Sequence, residues 1–76
     1  MNIEQLIKDN EKKLFARAFI LMRKNKDDAY DLLQMSLEKI FKSSSYLEDP
    51  SKFLPWSYTI MRNTYIDYYR SQKNSP

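Results

Sequence analysis

The stretch Asn25-Lys-Asp-Asp-Ala-Tyr-Asp-Leu-Leu-Gln-Met-Ser-Leu-Glu-Lys-Ile-Phe41 decides what kind of fold this chain adopts. Ala29, Leu32, Leu33, Ser36, Leu37 and Ile40 fall at i, i+3, i+4, i+7, i+8 and i+11, the spacing of one buried helix face. Asn25 followed by Asp28 reads as an N-cap with an acid at the third helical position. Asp27 and Asp28 suit the positive end of the helix dipole. The predicted helix therefore starts after Asn25 and runs to Phe41 or Ser43. Its other face carries Asp31, Gln34 and Glu38, with Met35 beside them. That row is either a solvated surface or a docking stripe for a basic partner helix, and an outward methionine suits an adaptable interface.

Working outward toward the N-terminus, residues 3–23 also read as an amphipathic helix. Ile3, Leu6, Ile7, Leu14, Phe15, Ala18, Phe19, Leu21 and Met22 recur at three- and four-residue steps, opposite Lys8, Asp9, Glu11, Lys12 and Lys13. Asn10 is a candidate break in this helix. Arg23-Lys24-Asn25-Lys26 interrupts the pattern and separates the two helices.

On the C-terminal side, Ser43 to Lys52 is polar, and Asp49-Pro50 is a turn or helix-start signal. Tyr46 and Leu47 are unusual in a plain connector, so they either dip into the core or line a pocket. A third helix is expected to start between Pro50 and Pro55. Pro55 must then lie in the first turn, where its missing N–H is harmless. Phe53, Trp56, Ile60, Thr64 and Ile66 are its expected packing side. Tyr58, Arg62, Tyr65 and Tyr69 share a second stripe, with Asn63 and Asp67 as a polar pair alongside. From Arg70 the chain loses periodicity and turns polar, as a fraying helix end or the start of a linker would. The expected domain is residues 1–72, with 73–76 as linker or disordered tail.

Composition narrows the function. A chain of 76 residues is one domain, and without Cys no disulfide reinforces it. The absence of His and Cys removes the usual zinc sites and imidazole-assisted nucleophiles, and the absence of Gly removes the P-loop and the dinucleotide fingerprint. No enzyme and no cofactor are expected. No apolar run approaches the roughly 18 residues of a membrane span, and the N-terminus lacks a signal-peptide layout. A soluble, cytoplasmic protein with no membrane partner is the expectation. The formal net charge of +3 sits wholly after Pro50, where Lys52, Arg62, Arg70 and Lys73 face only Asp67. Cations interleaved with aromatic rings suit single-stranded nucleic acid, because cations meet phosphates while rings stack on bases. Ordinary surface variation would also produce such an excess.

Two of these segments carry a resemblance. Asp28-Ala-Tyr-Asp-Leu-Leu-Gln34 is similar to the Asp-Ala-x-Asp-Leu-Val-Gln motif of sigma-70 family factors of the extracytoplasmic-function group. Phe53, Trp56, Ile60, Asn63, Asp67 and Arg70 stand in register with that group's second region 2 motif. The resemblance covers roughly residues 10–72. It implies an all-α, compact bundle of three main helices that docks on RNA polymerase core. In the family, the helix matching Asp31, Gln34, Met35 and Glu38 meets the clamp coiled coil of the β′ subunit. The loop and third helix open the promoter −10 element and capture a flipped non-template base. By position, that pocket would involve Ser43, Tyr46 or Leu47, Ile60 and Asn63. Asn63 is the leading base reader, since its amide both donates and accepts. Tyr58 belongs to the same DNA-binding set, and Arg62, Arg70, Lys52 and Lys73 would hold phosphates.

Several positions depart from the family pattern. Met35 replaces an acid, Lys24 stands where a helix-ending Gly is common, Ser57 replaces Leu, and Pro55 precedes the Trp. An anti-sigma factor is a further candidate partner. No −35-binding helix-turn-helix pattern follows within these residues, so the expectation is an excised domain or a naturally short protein. The alternative function is a decoy that binds core polymerase or an anti-sigma factor without reading DNA.

Overall fold

The computed structural model describes residues 2–73, and side chains through Ser71. Three helices follow one another: α1 (Ile3–Leu21), α2 (Lys26–Lys42) and α3 (Phe53–Lys73). Two short 3-10 turns, Ser44–Tyr46 and Pro50–Lys52, lie between α2 and α3. There is no strand among the described residues. Of the expected linker at 73–76, residues 74–76 lie outside the described residues, and Lys73 is the last residue of α3.

Local chemistry sets the helix ends. The Asn2 side chain accepts a hydrogen bond from the Gln5 N–H at 3.1 Å and caps α1. Asn25 does the same for Asp28 at 3.1 Å and caps α2, whose last turn carries Lys39 and Lys42 at the negative end of the dipole. α1 runs unbroken through Asn10, which corrects the candidate break. The Asn10 side-chain amide donates to the Leu6 carbonyl at 2.8 Å, along the helix rather than across it.

The α1–α2 turn is tight. The Lys24 N–H donates to the Phe19 carbonyl at 2.8 Å, closing the last turn of α1 in the six-to-one pattern of a Schellman cap. Arg23 and Lys24 adopt φ of 54° and 66°, left-handed backbone that costs a residue with a Cβ about 1–2 kcal/mol. A lysine thus stands where glycine would be unstrained.

Each helix contributes one stripe to the core: Ile7, Leu14 and Ala18 from α1, then Ala29, Leu32, Leu33, Ser36 and Ile40 from α2. α3 contributes Phe53, Ser57, Met61 and Thr64, at i, i+4, i+8 and i+11. This shifts the expected packing side. Phe53 and Thr64 are buried as expected, but Trp56, Ile60 and Ile66 are only half-buried on the flanks. Ser57 and Met61, both fully buried, occupy the centre. Small side chains at Ala18, Ala29, Ser36 and Ser57 let the helix backbones approach without glycine.

Two of the buried hydroxyls are satisfied within their own helices. Ser36 donates to the Leu32 carbonyl at 2.7 Å and Thr64 to the Ile60 carbonyl at 2.7 Å. The Ser57 hydroxyl has no hydrogen-bond partner among the described residues. Outside the core, Phe15 packs on Tyr30 with ring centroids 4.8 Å apart and ties α1 to α2. A 3.6 Å ion pair between Lys39 and Asp67 ties α2 to α3, so Asp67 faces α2.

Candidate nucleic-acid interface

The connection between α2 and α3 is anchored at both ends. Leu47 is buried and Phe53 is buried, which pins the loop to the core between two 3-10 turns. The Tyr46 N–H donates to the Ser43 carbonyl at 2.9 Å, which turns the chain and leaves the Tyr46 side chain 78% exposed. Asp49 caps the second turn by accepting from the Ser51 hydroxyl at 2.8 Å and the Ser51 N–H at 3.0 Å. Those two bonds, the hydroxyl first, hold the Asp49 carboxyl below its usual range, because they favour its ionised form. Pro50, without an N–H, occupies the first position of that turn.

Between this loop and the start of α3 lies a cavity of about 450 Å³. The loop side supplies Tyr46, Leu47, Glu48 and Asp49, and the helix side supplies Lys52, Pro55, Trp56 and Thr59. The volume is within the roughly 300–1,000 Å³ of small-ligand sites. The wall combines an exposed phenol, an indole and carboxylate acceptors, which suits a flat polar ring better than an anion.

The DNA-binding residues expected from the sequence are spread over several places. Tyr46, Leu47 and Lys52 line the loop cavity, with Leu47 contributing only its edge because it belongs to the core. Asn63 is exposed one turn beyond Thr59, on the face that Trp56 and Thr59 present to the cavity. Ile60 is half-buried next to that face, and Ser43 is half-buried as the C-cap of α2; neither of these, nor Asn63, lines the cavity. Tyr58 and Arg62 turn to the other side of α3, into a groove shared with α1. Arg70 is exposed further along α3, and the Lys73 side chain lies outside the described ones.

The groove between α1 and α3 brings in Arg17, which the sequence pattern of α1 did not single out. Arg17, Leu21, Tyr65 and Ile66 join Tyr58, Thr59 and Arg62 around a cavity of about 380 Å³. The Arg17 guanidinium carbon lies 4.1 Å from the Tyr58 ring centroid, a cation–π arrangement. Trp56 and Thr59 were detectable in the sequence as the positions three and four residues apart that lead to Asn63. Arg17 was not detectable, since its neighbour Tyr58 is far away in the chain.

On α2, Asp31, Gln34 and Glu38 are exposed in one row, with Met35 half-buried at its edge. Glu38 pairs with Lys42 at 3.3 Å, a surface contact of small energetic weight. A third cavity, with Met35, Glu38, Lys39 and Tyr68 in its wall, lies between this row and α3. The acidic row thus borders the side of α3 that carries Thr64, Asp67 and Tyr68, while Tyr58 and Arg62 face α1.

Residues 6–75 match the family model of Sigma-70 region 2, and the chain belongs to that family. The two motifs that carried the resemblance both lie inside the matched span. The chain is 36% identical over 67 residues to RNA polymerase sigma factor SigV of Bacillus subtilis (strain 168), covering 88% of this chain and 40% of that protein. It is 40% identical over 76 residues to RNA polymerase sigma factor SigZ of the same organism, covering 99% of this chain and 42% of that protein. The chain thus spans about two fifths of the length of these relatives. No solved structure matches it. Family membership makes this a non-catalytic, all-α domain of the transcription-initiation machinery. Among the described residues no helix is long and apolar enough to cross a membrane.

Proposed function

We propose that this domain docks on RNA polymerase core through the outer face of α2 and captures one unpaired base of the promoter −10 element beside α3. The observation that carries the reading is the loop cavity, which opens on the same face of α3 that displays Asn63. A base lifted from its stack costs a few kcal/mol, and the cavity offsets this by offering Tyr46 and Trp56 for contact. The Asn63 amide, exposed one helical turn beyond the Thr59 wall, supplies one donor and one acceptor, enough to tell base edges apart. Asp31, Gln34, Met35 and Glu38 form the polymerase contact, meeting the β′ clamp coiled coil. That contact places the domain in the cytoplasm.

The test is binding to a panel of single-stranded −10 oligonucleotides that differ at one base, with and without Asn63→Ala. The reading expects a preferred base for the parent and a flat profile for the variant. If the domain binds core polymerase but no strand under any salt condition, base capture is wrong and the domain acts as a decoy.

A further inference from the structure

The loop cavity and the α1–α3 groove share one residue, Thr59, and differ in charge. The loop cavity places Glu48 and Asp49 against the single cation Lys52. A nucleotide whose base enters there finds acceptors for its amino groups, but poor electrostatic support for its phosphates. The groove on the far side of Thr59 has no carboxylate in its wall and carries Arg17 and Arg62. Two ion pairs occur among the described residues, Lys39–Asp67 and Lys42–Glu38, and neither involves these arginines.

We propose that the α1–α3 groove is a second nucleotide subsite, which holds the phosphate and base next to the one captured in the loop cavity. This rests on the reading of the loop cavity as a base pocket. Arg17 and Arg62 neutralise the phosphodiester, and Tyr65 offers its ring to the neighbouring base. Stacking on Tyr58 holds the Arg17 guanidinium over the groove, so less side-chain freedom is lost on binding than for a free arginine. An acidic helical peptide shares the anionic chemistry. The strand is favoured because the groove meets the loop cavity at Thr59, and a polynucleotide spans consecutive sites by its own connectivity.

The experiment compares Arg17→Gln with the parent domain on two single strands, one just long enough to fill the loop cavity and one extended by several nucleotides on both sides. Arg17 is exposed, so the variant keeps the fold, and a thermal melt verifies it. The expected result is at least about threefold weaker binding of the long strand. Its log–log salt slope falls by about 0.7, the increment for one single-strand phosphate contact. Affinity for the short strand and the base preference set by Asn63 stay unchanged. Equal affinity and equal slope for both proteins on the long strand would overturn the subsite. So would a loss confined to an acidic helical peptide, which would mark a protein-docking groove. If neither protein binds any strand, the base-pocket reading itself fails, an outcome distinct from either of these.

Discussion

α2 and α3 bury similar stripes and expose opposite ones. Inward, both present a line of apolar and small residues that includes a fully buried serine, Ser36 in one and Ser57 in the other. Outward, α2 shows Asp31, Gln34 and Glu38, while α3 shows Arg62, Asn63 and Arg70. The inner stripes account for the bundle, and the outer ones for the partners a bundle of this shape can meet. Within α3 the division is sharp: Met61 is fully buried and Asn63, two residues on, is exposed. A 100° step per residue turns the chain from core to solvent face in that distance.

The largest expected effect comes from the inner face. Met61→Ala should lower the unfolding free energy by about 2–5 kcal/mol, the range for emptying a well-packed aliphatic site, as read by urea denaturation. A variant that kept full stability would mean the α3 stripe is wrongly placed. Next, Asn63→Ala should leave the urea midpoint unchanged while removing about 1–3 kcal/mol of discrimination among bases in the single-strand panel. The two substitutions together separate fold from readout within one helical turn.

A smaller effect tests the outer contrast. Asp31→Lys should weaken binding to core polymerase by about 1 kcal/mol or more without weakening single-strand binding, because it acts on the α2 side of the bundle. A parallel loss of both activities would show that the two faces are not independent. Lys24→Gly should stabilise the domain by about 1 kcal/mol, since glycine adopts the left-handed φ of 66° without the Cβ penalty. Thermal melting reads that gain.

The smallest effect concerns the loop. The Asp49 carboxyl titrates below its ordinary value of 3.8 because it accepts two bonds from Ser51. A folded-state value lower than the unfolded one makes the cap fully stabilising above 3.8, and the contribution is lost as pH falls through the depressed value. NMR should show the Ser51 amide shifting with that titration, and Asp49→Asn, which carries no titratable carboxyl, should abolish the transition.

The sequence made much of this legible. α2 was readable to its caps because both signals are local: Asn25 reaches three residues forward, and the apolar spacing repeats every turn. The Asp49-Pro50 turn was readable for the same reason. α3 was harder, because Trp56, Ile60 and Ile66 outrank Ser57 in hydrophobicity. The structure nevertheless buries Ser57 fully, because it shares the i, i+4, i+8 face of Phe53 and Met61. Asn10 was misleading: a side chain able to disturb a helix instead bonds back to Leu6.

By itself, then, the amino-acid order determined three helices, the face of α2 that packs, and the family to which the two motifs belong. These follow from interactions between residues a few positions apart, which any chain of this order makes. The tertiary structure decided which residues share a site. It set Tyr46 opposite Trp56 across the loop cavity and Arg17 over Tyr58 in the α1–α3 groove. Such pairings depend on how separate helices pack against one another, around a core in which Ala18, Ser36, Ser57 and Met61 are all fully buried.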